Sequence, residues 1–252
     1  MSKEVAKKEK AEVAQTPVMG RGISNFEQDN ILIERITLAQ GLSKIVASEK
    51  AKFGDIYLSV SQKVIGNKDK AIKIVPIMMT ETWLVFRKEN GKKVFERFEP
   101  MTMKNREERR NAKETETHVF DDSINFFVMF LDELGKPEAM PRVVSFMRTS
   151  KKTGKQLYTG CFTTQSAGKD IWEQSYTLGV EKLSNDKGTF YAWTVQPGEP
   201  VKDVSQKAQC EMWWKNLQQM NHKIDNSEFE ETGVELGHTK PKDTPVSSEA
   251  RY

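Results

Sequence analysis

Between residues 55 and 195 the apolar side chains recur chiefly at every second position, in segments cut by Gly, Asn and Asp turn signals. That period selects strands over helices, because successive side chains on a strand point to opposite faces. Asp55–Ile65 alternates Ile56, Leu58 and Val60 with polar neighbours and stops at Gly66-Asn67. Ala71–Phe86 is a long β-prone run in which Pro76 predicts a bend or an edge position. Glu89-Asn90-Gly91 is a hairpin turn leading into Lys93–Phe98. Asn125–Leu134 and Arg142–Arg148 read as two more strands around Gly135-Lys136-Pro137, and Gln174–Lys182 and Thr189–Val195 pair around Asn185–Gly188.

Two stretches, Met103–Thr117 and Val204–Ile224, depart from this pattern. In Val204–Ile224 the residues Cys210, Trp213, Leu217 and Met220 are spaced by 3, 4 and 3, which lines one face of a helix, and Asp203 is placed to cap it. A shorter helix is expected around Thr153–Ser166. Met103–Thr117 is almost wholly charged and reads as an exposed loop or a solvated helix. The expected fold is mainly β (α+β): an OB-like small barrel with insertions, a C-terminal helix and disordered termini, with a two-sheet sandwich as the alternative. The expected divisions are a disordered arm at 1–28, a folded domain at 29–224 and a disordered, mildly acidic tail at 225–252.

Several function classes find no support. No apolar run approaches the roughly 18 residues that span a bilayer; the longest, Ile124–Leu131, is broken by Asn125. Lys and Glu crowd the first ten residues, so no secretory signal is expected. Cys161 and Cys210 are the only cysteines, which excludes a disulfide scaffold. The phosphate-loop pattern is absent because no Gly-Lys pair is followed by Ser or Thr, and there is no GxSxG, HExxH or CxxC. His118, His222 and His238 stand in unrelated settings. The adjacent pair Asp121-Asp122 lacks further spaced acids, so it reads as a turn in preference to a metal site. No catalytic residue, metal or cofactor is expected.

Charge and aromaticity coincide. Residues 225–252 hold seven acids and three bases, a net −4, which leaves +7 on residues 1–224. Around the first hairpin stand Trp83, Arg87, Lys92, Lys93, Phe95 and Arg97. A second group contains Arg148, Lys151, Lys152, Lys155, Tyr158 and Phe162, and Trp193 lies on the third hairpin. Cations neutralise phosphates and release counterions. Flat rings stack on exposed bases without choosing a sequence, at about 1–3 kcal/mol per base. Strict alternation along Lys92–Phe98 would put Lys93, Phe95 and Arg97 on one face, a binding strip. Residues 148–155 would form a basic loop that grips the backbone. For any single ring, packing in the core is the commoner role, and Trp213 on its helix face is read that way.

The order of ILIERITLAQGLSK, FGDIYLSVSQKVIG, KAIKIVPIMM running to Trp83, PRVVSFMRTSKKTGKQL and GTFYAWTVQPGEPV resembles the single-stranded DNA-binding proteins of tailed bacteriophages, over residues 30–222. The resemblance implies an OB-fold without catalysis that binds single-stranded DNA in replication or recombination, in the cytoplasm of the infected host. It also implies replication or recombination partners recruited through an acidic tail, although Arg251 beside the terminal Tyr252 departs from that pattern. The expected phosphate contacts are Arg87, Lys92, Lys93, Arg97, Arg148, Lys151, Lys152 and Lys155; the expected stacking rings are Trp83, Phe95, Tyr158 and Trp193. A phage structural or assembly protein with protein partners is the rival expectation.

Overall fold

The computed structural model describes residues 32–41, 43–133, 135–186 and 188–219, with two short strands at 223–224 and 234–235. The expected arm at 1–28 lies outside the described residues, as does the expected tail except for 234–235.

The chain is mainly β. In order it forms β1 (Leu32–Ile33), β2 (Arg35–Leu38), α1 (Lys44–Ala47), β3 (Ile56–Leu58), β4 (Val64–Gly66), β5 (Ile72–Glu89), β6 (Lys92–Pro100), α2 (Met103–Asn111), β7 (His118–Leu131), β8 (Arg142–Met147), α3 (Lys151–Ser166), β9 (Gln174–Asn185), β10 (Gly188–Pro200), α4 (Val204–Gln219), β11 (Lys223–Ile224) and β12 (Val234–Glu235). One mixed sheet runs β10-β9-β5-β7-β8-β2-β3-β4, with β2 parallel to β8. The β5–β6 turn is Asn90-Gly91, both at positive φ (50° and 75°), as the Asn-Gly signal predicts.

The length of β5 exceeds what one partner on each side can cover. On one edge β7 pairs with it from Lys73 to Arg87. On the other, β9 pairs only with Ile72–Ile74 and β6 only with Thr82–Glu89. Pro76 falls in the interval between these partners, at a register shift. A missing N–H is tolerated there.

The apolar run in β7 is continuous because both faces of the strand are covered. Phe126 and Val128 enter a first core with Ile36, Ile56, Ile74, Phe146, Leu178 and Trp193, while Phe127, Met129 and Leu131 enter a second with Trp172, Cys210, Trp213 and Leu217. Asn125 interrupts the run without cost, since its Oδ1 accepts from the Ser123 and Ser145 hydroxyls and its Nδ2 donates to Thr82 Oγ1. Helix α4 covers the second core with the predicted residues Cys210, Trp213 and Leu217; Met220 lies outside the described residues. Asp203 Oδ1 accepts from the Ser205 and Gln206 backbone N–H groups, the expected cap.

Helix α3 covers the first core with Leu157 and Cys161. Its glycines permit close approach: a Cβ on Gly154 would stand 2.6 Å from Phe146 Cβ, and one on Gly160 would stand 2.6 Å from the Tyr176 hydroxyl. The sheet path itself remains open, from β10 to β4. Across the gap, the Gln40 side-chain amide donates to the Tyr191 carbonyl (2.9 Å) and accepts from the Tyr191 N–H (3.3 Å), so a side chain spans between the end of β2 and β10.

Both cysteines lie under these helices, and burial pushes each thiol up to about 12. A protonated, enclosed thiol is a poor nucleophile. At pH 8 a thiol-reactive dye is expected to leave the native protein unlabelled and to label two sites in denaturant; prompt labelling of native protein would contradict this packing.

Candidate nucleic-acid interface

The charged segment after β6 folds as α2, with no buried residue of its own. Thr102 caps it: Thr102 Oγ1 accepts from the Asn105 N–H, and Asn105 Oδ1 accepts from the Thr102 N–H. The same Asn105 Oδ1 accepts from Trp83 Nε1 at 3.3 Å. Arg106 pairs with Glu81 on β5, Arg109 reaches Glu99 on β6 at 2.5 Å, and the Arg109 guanidinium lies 4.3 Å over the Phe120 ring. Polar bonds and a cation–π contact, in place of an apolar stripe, therefore attach this helix to the sheet.

That attachment corrects one expectation. Trp83 is 1% exposed and cannot stack on a base. Trp193 is 5% exposed, because Tyr191, Trp193 and Val195 alternate onto the inward face of β10 toward the first core. Thr153 Oγ1 donates to the Trp193 carbonyl at 2.6 Å and fixes α3 over it.

The expected strip on β6 is also rearranged. Phe86 pairs with Phe95 but Val85 pairs with Arg97, so Glu96 is an extra residue in the ladder. Such a bulge reverses the alternation beyond it. Phe95 and Phe98 therefore share a face with Leu84, Phe86 and Val119, while Arg97 moves to the other face. Phe95 is half-buried there, 5.1 Å from Phe98. Arg97 pairs with Glu96 and Glu99, and Arg87 with Glu89. Lys92 and Lys93 lie where β12 pairs with β6, opposite Glu235 and Val234.

The second basic group behaves differently. Arg148 opens a 3-10 turn at φ 47° and holds Asp121 through Nε (3.2 Å) and Nη2 (2.8 Å). The expected basic loop at 148–155 is that turn followed by the first turn of α3. Lys151, Lys155, Tyr158 and Phe162 are spaced by 4, 3 and 4, so at 3.6 residues per turn they form one stripe about 16 Å long. Leu157 and Cys161 face the core on the other side. Tyr158 is 44% exposed and Phe162 58%, with centroids 6.4 Å apart and planes 31° apart. Among the described residues they are the only exposed aromatic side chains.

Lys151 reaches Asp122 on β7. Its ammonium is nevertheless held below the usual lysine range, first by burial and then by Lys155, Lys113 and Arg110, with Glu81 opposing. Asp121 and Asp122 thus each serve a cation. Lys152, Lys155, Arg110 and Lys113 have no carboxylate partner among the described residues. Reading by residue type singled out Lys151, Lys152, Lys155 and Tyr158. It passed over Arg110 and Lys113, and it did not align Phe162 with the stripe, although the spacing 4, 3, 4 was available in the sequence.

Over residues 3–225 the chain matches the model of the family described as Pam3 phage gp34-like protein, and it belongs to that family. No curated protein matches it in sequence.

Proposed function

We propose that this member of a phage gp34-like family is a non-catalytic, sequence-tolerant single-stranded DNA-binding protein of phage DNA replication or recombination, working in the cytoplasm of the infected host with α3 as its contact element. One observation carries the reading: the two exposed rings of the described chain lie on a single helix stripe with Lys151 and Lys155. Rings so placed offer π-faces to unstacked bases, and the lysines lie within reach of the same strand's phosphates. Duplex DNA hides its base faces, so the preference is for single strands. An OB-like barrel as the scaffold draws support from the Gln40 side chain, which spans between the end of β2 and β10 of the open sheet, and from α3, which covers the first core. Acidic residues of the C-terminal segment are then available to recruit replication or recombination proteins.

The test is a titration of labelled dT oligomers followed by anisotropy, since Trp83, Trp172, Trp193 and Trp213 are buried and poorly placed to report stacking. Each phosphate contact on a single strand contributes about −0.7 to the slope of log K against log salt, so Lys152 and Lys155 alone give roughly −1.4, a sevenfold loss from 50 to 200 mM. Equal affinity for duplex, or binding indifferent to salt, would refute the proposal.

The rival reading is a phage assembly protein. It is favoured by β12, which adds along the outer edge of β6 and so marks that edge as one that takes an extra strand. Co-sedimentation with virions together with no shift of any oligonucleotide would select it.

A further inference from the structure

We propose that the junction of α2 and α3 is a phosphate seat, formed by Arg110, Lys113 and Lys155, that holds a phosphodiester of the bound strand beside the Tyr158–Phe162 platform. The inference rests on the single-strand reading and adds a second helix to the surface. It starts from the register of β5 and β7. Asp122 stands opposite Trp83, and Glu81 lies two residues before Trp83, so both carboxylates are on one face of the sheet. Each already has a cation from a different helix, Arg106 of α2 and Lys151 of α3. These two ion pairs tie both helices to the same face of the sheet.

One turn further along, Arg110 follows Arg106 and Lys155 follows Lys151, and Lys113 lies just past the end of α2. All three are exposed and lack a carboxylate among the described residues. Arg106, Arg110 and Lys113 thus lie on the segment anchored by Glu81, and Lys151 and Lys155 on the helix anchored by Asp122. After burial, Lys155, Lys113 and Arg110 each act to depress the Lys151 ammonium, so all three lie near enough to repel it. Folding gains nothing from that convergence. An anion between them removes the repulsion, and charge-assisted bonds to phosphate oxygens suit both guanidinium and ammonium donors. Arg106 and Arg109 do the work of attaching α2, which leaves Arg110 and Lys113 outside the packing.

The test compares wild type with Arg110→Ala/Lys113→Ala, whose unchanged melting temperature is checked first. With the seat occupied, four unpaired cations give a salt slope of about −2.8 for a dT oligomer, and the double variant lowers it to about −1.4. The charge-retaining Arg110→Lys/Lys113→Arg should keep the steeper slope. A slope that is the same in wild type and in the alanine variant overturns the seat while leaving the single-strand reading intact. If wild type binds no oligomer, the reading has failed, and pyrophosphate then addresses the seat alone. A Lys151 ammonium resonance that shifts with pyrophosphate in wild type but not in the alanine variant supports a polyanion site; no shift in wild type overturns it.

Discussion

Trp83→Ala is expected to lower unfolding stability by about 3–5 kcal/mol, the range for removing a buried large aromatic side chain. A domain of this kind has only about 5–15 kcal/mol in total. The indole is enclosed between β5 and α2 and gives its N–H to Asn105, so its removal leaves a cavity and takes away the surface on which α2 rests. Denaturant melts read the effect directly. Trp83→Phe separates packing from recognition: it keeps an aromatic ring under α2, loses one hydrogen bond worth about 1 kcal/mol, and should leave oligonucleotide affinity unchanged. A Trp83→Ala protein as stable as wild type but deficient in DNA binding would show that the indole is accessible and that the placement of α2 is wrong.

The opposite pattern is expected on α3. Tyr158→Ala and Phe162→Ala each remove a stacking surface worth about 1–3 kcal/mol, so the double variant should bind dT oligomers more weakly by about 2–6 kcal/mol if the rings act independently. Stability should change by no more than about 0.5 kcal/mol, because both side chains are exposed and their i,i+4 contact is a small term. The salt slope should stay at its wild-type value, since rings displace no counterions. Loss of affinity with an unchanged slope therefore identifies stacking, whereas a reduced slope at full platform identifies the seat of Arg110 and Lys113. Wild-type affinity in the double variant would remove α3 as the contact element.

The elements themselves were legible wherever a single period ran without interruption. The spacing of 3 and 4 among Cys210, Trp213 and Leu217 gave α4 its buried face, and Asn90-Gly91 gave the β5–β6 hairpin its turn. The long run through Phe126–Leu131 was readable as a strand, but not that separate cores lie on its two sides. The face assignment on β6 failed at Glu96, because one inserted residue inverts every position after it and leaves no composition signal. Trp83 failed for a different reason. Its cover is a helix with no apolar face, held by Asn105, Arg106 and Arg109, and a hydrophobic pattern cannot announce a helix that docks through polar bonds.

Local chemistry, acting along the chain, settled the mainly β character, the buried face of α4, and which residues are cationic or aromatic. Tertiary structure alone decided which of those residues meet solvent. Trp83 and Trp193 offer flat aromatic faces as Tyr158 and Phe162 do, yet the first pair is covered by α2 and α3 and the second is not. Likewise Arg110 and Lys155 are 45 positions apart in sequence, and they share a face of the sheet because their helices dock on it, in part through the ion pairs to Glu81 and Asp122 on adjacent strands. Periodicity is a property of neighbours along the chain; exposure and charge convergence are properties of neighbours across it.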